Sequence, residues 1–173
     1  MEPSEVDVSI GDGSVMGVKH AAIRKLDHEL GIQPSELTID KFKFLTRLHY
    51  WAADTITHGP KAPWGENEID YVLFYVVNNK QELTIKGHPD EVDAVAWLTL
   101  EQLEEKMADP KVLFSPWFRL IVQKWLKTWW KDLNETMQTD KHCDFVNIHR
   151  FDPPKEHLGG AADAGPLFLG DAK

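Results

Sequence analysis

Cysteine is nearly absent from this chain. Cys143 is the only one in 173 residues, so no internal disulfide can form, which suits a reducing compartment. No stretch approaches the roughly 18 uninterrupted apolar residues that a membrane-spanning helix needs, and a spanning role is excluded. Basic residues are scarce as well. With 19 Lys and Arg against 28 Asp and Glu, the net charge is −9, and the average field repels phosphate backbones. General nucleic-acid binding is disfavoured, whereas an anionic small molecule stays possible if local cations or a divalent ion reverse the sign at one place. The first fifteen residues, MEPSEVDVSIGDGSV, contain no Cys, His, Lys or Arg. They lack the basic and apolar regions of a secretory signal and the arginines of a transit peptide, so the cytoplasm is the expected location.

What is present fits one α+β domain. Residues 1–15 read as a disordered lead-in, residues 16–150 as the folded part, and residues 151–173, rich in Pro, Gly and Ala, as a flexible tail. The stretch VMGVKHAAIRKLDHELGI has apolar residues near helical spacing and ends on Gly31, where a helix C-terminus favours φ > 0. LTIDKFKFLTRLHYWAA predicts a strand, THGPKAPWGENE a loop, and Ala94 to Leu98 a further strand. Thr99 and Gln102 form a capping-box pair at the start of a short helix ending before Pro110. Ser115 at the N-cap and Pro116 at the first helical position open a last, long helix. Seven tryptophans are many for this length. Five of them, Trp97, Trp117, Trp125, Trp129 and Trp130, predict a large aromatic core in the C-terminal half.

The segment WGENEIDYVLFYVV, Trp64 to Val77, poses a chemical question. Strand side chains alternate between faces, so Glu66, Glu68 and Asp70 share one face while Asn67, Ile69 and Tyr71 share the other. Stacked carboxylates repel and raise one another's pKa unless a cation sits among them or water surrounds them. Spacing alone leaves both a metal site and a solvated strand end open.

Several segments in order, GVKHAAIRKLDHELGI, LTRLHYWAAD, WGENEIDYVLF, HPDEVDAVAW and FSPWFRLI, resemble the type I isopentenyl-diphosphate Δ-isomerases, a branch of the Nudix superfamily, and their fungal members in particular. The resemblance implies a Nudix-like α/β/α sandwich around a mixed sheet. It also implies interconversion of isopentenyl and dimethylallyl diphosphate, small homoallylic and allylic diphosphates, in isoprenoid and sterol biosynthesis; a monomer is the separate expectation. The Nudix helix pattern R-E-U-x-E-E-x-G-U, with U apolar, appears here as RKLDHELGI, Arg24 to Ile32. Lys25 and His28 stand where that pattern has acids, which disfavours hydrolysis and favours holding a diphosphate intact.

Residue by residue, the resemblance assigns Glu29 to a Mg2+ (or Mn2+) that bridges to the diphosphate, and Glu66 and Glu68 to a second divalent ion. Oxygen ligands of this kind suit hard cations. Glu68 is also implied as the proton-transfer group, assisted by Tyr50. Arg24 and Lys25 are implied as diphosphate contacts, and Trp117 as a ring face that steadies a tertiary carbocation. The family also places a catalytic cysteine and metal-binding histidines upstream of the Nudix helix, and no matching segment is found here. The N-terminal strands of the sheet are therefore expected to be missing and the activity impaired. The alternative expectation is a catalytically inactive Nudix-like module that binds a diphosphate or a protein. An active Nudix hydrolase is a third.

Overall fold

The computed structural model describes residues 15–53 and 65–151. The expected lead-in, the expected tail beyond Phe151 and most of the loop after Ala53 lie outside the described residues. Helices combine with a three-stranded mixed sheet of order β2-β1-β3, where β1 is Lys43–Ala53, β2 is Gly65–Phe74 and β3 is Ile148–Phe151, so the fold class is α+β. β3 runs parallel to β1, with Arg47 opposite Ile148 and Tyr50 opposite Phe151. β1 is buried almost without interruption, as expected of a central strand covered on both faces rather than on one. No helix among the described residues is long and apolar enough to cross a membrane.

Two compact units are distinguished, one made of residues 15–45 and 71–97, the other of residues 46–53, 65–70 and 98–151. The first contains α1, Met16–Leu30. Gly31 ends this helix at φ 65°, and the Gly31 and Ile32 amides bond back to the Asp27 and Leu26 carbonyls at 2.9 and 3.2 Å. Two further terminal carbonyls of α1, those of Leu30 and Glu29, accept from the Lys86 and His88 amides at 2.7 and 2.8 Å. The orphan acceptors of a helix end are thereby satisfied by a distant loop. Phe42 packs on Tyr75, with ring centroids 4.6 Å apart, and Ile32 and Phe42 are buried.

Ala94 to Leu98, expected as a strand, is irregular, and Val95 and Trp97 are about half exposed. Alternation is a local signal, whereas a strand exists only against a partner backbone, and no ladder is formed here.

In the second unit α2, Leu100–Ala108, has the predicted capping box, with Gln102 N donating to Thr99 Oγ1 at 3.2 Å and Thr99 N to Gln102 Oε1 at 2.9 Å. The last long helix is segmented. It comprises α3 (Pro116–Ile121), a π-helical turn over Val122–Leu126, α4 (Lys127–Lys131) and, after a break at Asp132, α5 (Leu133–Gln138). Pro116 takes the first helical position as predicted, but the Ser115 side chain makes no capping bond. The tryptophans do not form one core. Trp129 is buried, while Trp117 and Trp130 are more than a third exposed, because neighbours such as 129 and 130 point about 100° apart around a helix. β3, which ends on the first residue of the expected tail, was not foreseen. Four residues carry too little pattern to announce a strand.

Candidate functional site

The site is built from β1 and β2. The strand geometry of Gly65–Phe74 puts Glu66, Glu68 and Asp70 in one column, and β1 presents Tyr50 to it. The Tyr50 hydroxyl donates to Glu66 Oε2 at 2.6 Å, and Tyr50 is only 2% exposed. On the other face His49 Nε2 meets Asn67 Oδ1 at 2.8 Å, so neighbouring residues on both strands alternate as the period-two reading requires.

Electrostatics sharpen this picture. Burial, followed by the bond to Glu66 and the charges of Asp70, Glu66 and Glu68, pushes the Tyr50 phenol well above its usual range. It therefore stays a donor at any physiological pH. Asp70 is pushed up to about 6, first by burial and then by the charges of Glu68 and Glu66. The repulsion expected within the column thus falls on its most buried member. Asp70 is the site residue that sequence reasoning did not select, although the same spacing contains it. The resemblance pairs Tyr50 with Glu68, whereas its hydrogen-bond partner is Glu66.

The donor chemistry of the column is all oxygen and negative, which fits a hard divalent cation. Among the described residues, no group of three or more His, Cys, Asp or Glu side chains is placed to hold a metal ion. As arranged, a protonated phenol touches the first carboxylate of an acidic column. Such a pair can hold or pass a proton next to a substrate carbon.

The other predicted site residues belong to α1 and α3. Lys25 and Glu29, one helical turn apart on α1, form an ion pair that raises the Lys25 pKa through the Glu29 hydrogen bond and charge. The two residues expected to hold a diphosphate and a metal therefore hold each other. Arg24 is exposed on the same helix. His28 stacks on His88 with centroids 5.8 Å apart, beside the backbone bond from His88 to Glu29. Trp117 lies in the first turn of α3, edge-on to Phe118 at 5.7 Å.

A pH dependence follows from Asp70 in the metal-free chain. Its folded pKa, about 6, exceeds the unfolded value near 3.9, so the native state binds the extra proton between these pH values. The stability it contributes is full below about pH 4 and lost as pH rises through about 6. Asp70→Asn removes the charge that incurs this loss. In the presence of chelator it is expected to stabilise the protein by about 1 to 2 kcal/mol at pH 8 after allowance for solvent screening, and by much less at pH 4. Equal urea midpoints for parent and variant at pH 8 would show that Asp70 is not strained by its neighbours.

Comparison with known proteins adds the family. The NUDIX domain model matches residues 15–118, which include α1 and the whole of the β1–β2 site. The chain is 48% identical over 121 residues to the isopentenyl-diphosphate delta-isomerase of Schizosaccharomyces pombe, covering 70% of this chain and 48% of that protein. It is 38% identical over 152 residues to an isopentenyl-diphosphate delta-isomerase of Gibberella zeae, covering 86% and 53%. It is 36% identical over 152 residues to the isopentenyl-diphosphate Delta-isomerase 1 of Bos taurus, covering 86% and 59%. The chain spans about half the length of the curated relatives it matches. With a Gly-capped helix that keeps Arg24, Glu29 and Gly31 of the Nudix pattern, and with a model match across most of the described fold, the chain belongs to the NUDIX domain family.

Proposed function

We propose that this chain is an isopentenyl-diphosphate Δ-isomerase domain. One observation carries the reading: a buried phenol, Tyr50, donating at 2.6 Å to a carboxylate of an acidic column. The relatives' names supply the substrate class. A hydrolase would instead depend on the acids that Lys25 and His28 replace.

In this reading the reaction protonates one end of the isopentenyl double bond and removes a proton from carbon on the other side, through a tertiary carbocation, while the diphosphate stays attached throughout. Glu68 exchanges the proton on one face of the alkene, and a second acid or base on the opposite face, the role the resemblance gives to a cysteine upstream of the Nudix helix, exchanges the other. Tyr50 orients and polarises the carboxylate pair by donating to Glu66. The Trp117 ring faces the cation and steadies it. Arg24 and Lys25 bind the diphosphate oxygens by charge-assisted hydrogen bonds. Glu29 would hold one Mg2+ or Mn2+, and Glu66 with Glu68 another; such ions supply charge against the diphosphate and lower the basicity of the carboxylates they touch. Monomeric, cytoplasmic action is part of the proposal, and the single cysteine is in keeping with it.

The Lys25–Glu29 ion pair favours a second reading, an inactive diphosphate-binding module, since the acid that α1 keeps from the Nudix pattern is already neutralised. Turnover assays with isopentenyl diphosphate and Mg2+ separate the two, because only the first requires product. Calorimetry tests what both share. Binding of isopentenyl diphosphate is expected to be weak and Mg2+-dependent, to be lost in Glu29→Gln, and to persist in Glu105→Gln on α2. Parental binding by both variants would remove Glu29 from the site.

A further inference from the structure

We propose that Arg47 and Asp144 are positioning residues for Tyr50, acting by clamping β3 beside it; the inference rests on the isomerase reading for its functional meaning. β3 has four residues, at the short end of usual strand lengths, and its pairing with β1 sets Phe151 opposite Tyr50. Paired residues of neighbouring strands point to the same face. Phe151 therefore shares the face of Tyr50 on the neighbouring strand and, like it, is 2% exposed.

Two anchors hold the segment that delivers β3. From β1, the Arg47 guanidinium donates to the Phe145 and Val146 carbonyls at 2.9 and 3.1 Å, and Arg47 is 7% exposed. It lies three residues from Tyr50 on the opposite face, so it fixes the approach of the segment without entering the acidic column. From within the segment, the Asp144 carboxylate accepts from the Val146 and Asn147 amides at 3.1 and 2.9 Å. It also pairs with the Asn147 side chain at 3.0 Å and with His149 Nε2 at 2.9 Å. Burial opposes its ionisation, but the bonds from Asn147, Val146 and His149 outweigh burial and hold the carboxyl at about 2. Asp144 thus remains a charged acceptor across the working range of pH.

The clamp also reaches a group of aromatic rings. His149 and Phe151 each meet the Trp125 ring edge-on, at 5.1 and 6.1 Å, and Trp125 stacks parallel to buried Trp129 at 5.7 Å. Trp125 lies in the π-helical turn. Such turns are often found at functional sites. Tyr50 thus has one restraint at its hydroxyl, from Glu66, and another along its strand, from β3. Loosening the second lets the phenol drift, and small misplacements of a proton-transfer group are costly in rate.

The test uses the full chain and the variants Asp144→Ala, Arg47→Met and Arg47→Lys. Hydrogen exchange at residues 148–151 and at Tyr50 is expected to accelerate at least about tenfold in the first two variants, with α1 amides unchanged. With the three tyrosines labelled at the ring carbon that bears the hydroxyl, and the Tyr50 signal assigned by Tyr50→Phe, that signal is expected to move in both variants. Arg47→Lys restores part of each effect. Turnover is expected to fall about tenfold in kcat, with KM within about twofold of the parent, because the diphosphate contacts are untouched. Accelerated exchange in β3 with an unmoved Tyr50 signal overturns the proposal, as does unchanged exchange in both variants. If Arg47→Met does not fold, Asp144→Ala, at a partly exposed position, decides alone. A parent without turnover sinks the isomerase reading only, since the Tyr50 signal still reports the positioning.

Discussion

Glu68→Gln is expected to lower isomerase turnover about 1,000-fold, and Tyr50→Phe about 10- to 100-fold, with little change in KM for either. A general acid or base is typically worth roughly 10² to 10⁴ in rate, and the amide neither carries a proton at a useful pKa nor binds a hard cation well. Tyr50→Phe is the milder change because the phenol donates to Glu66 rather than to the atom assigned the proton. Its removal leaves a carboxylate short of one bond in a place where Tyr50 is buried. Glu105→Gln serves as the reference on an exposed face of α2. Far-UV circular dichroism checks that each variant is folded. Glu68→Gln at turnover within threefold of the parent would remove Glu68 from the chemistry, whichever metal is present.

Gly31→Ala is expected to destabilise the fold by about 2 to 4 kcal/mol, a large part of the total for a domain of this size. Two costs add. The backbone at φ 65° charges a residue with Cβ about 1 to 2 kcal/mol, and an ideal Cβ there would stand 2.5 Å from the Lys86 carbonyl oxygen. Backbone, unlike a flexible side-chain tip, cannot simply rotate away. The Lys86 amide bonds to the Leu30 carbonyl at 2.7 Å, so moving that loop breaks the cap of α1 as well. Gly31→Asn separates the two costs, since Asn tolerates the left-handed region but carries the same Cβ. It is expected to recover only a minor part of the loss. A shift of urea midpoint under about 0.3 M in Gly31→Ala would show that the loop yields without penalty. Because Glu29 sits on the same last turn, with its carbonyl bonded to His88, Mg2+-dependent diphosphate binding is expected to weaken along with stability.

These two positions also show how much could be read from the linear chain. Gly31 was legible as a helix stop, because a glycine after a periodic apolar pattern meets a local need for positive φ. The approach of Lys86 was not, since it joins residues 55 apart along the chain. Thr99 with Gln102 was legible for the same local reason, and the predicted box is formed. Ser115 was only half so: its place at the helix start is right, but a side-chain bond depends on a rotamer that sequence does not set.

By itself the sequence determined the α+β class, α1 and its end, and the period-two column of Glu66, Glu68 and Asp70, because each follows from backbone geometry within a few residues. Tertiary structure alone decided which carboxylate Tyr50 touches, which acid takes the strain of burial, and that Lys25 and Glu29 neutralise each other in place of separate partners. It also decided that Ala94 to Leu98 forms no ladder while Ile148 to Phe151 does. Those outcomes depend on which surfaces lose water together and which backbone finds a partner, and both are set by contacts between residues far apart in the chain.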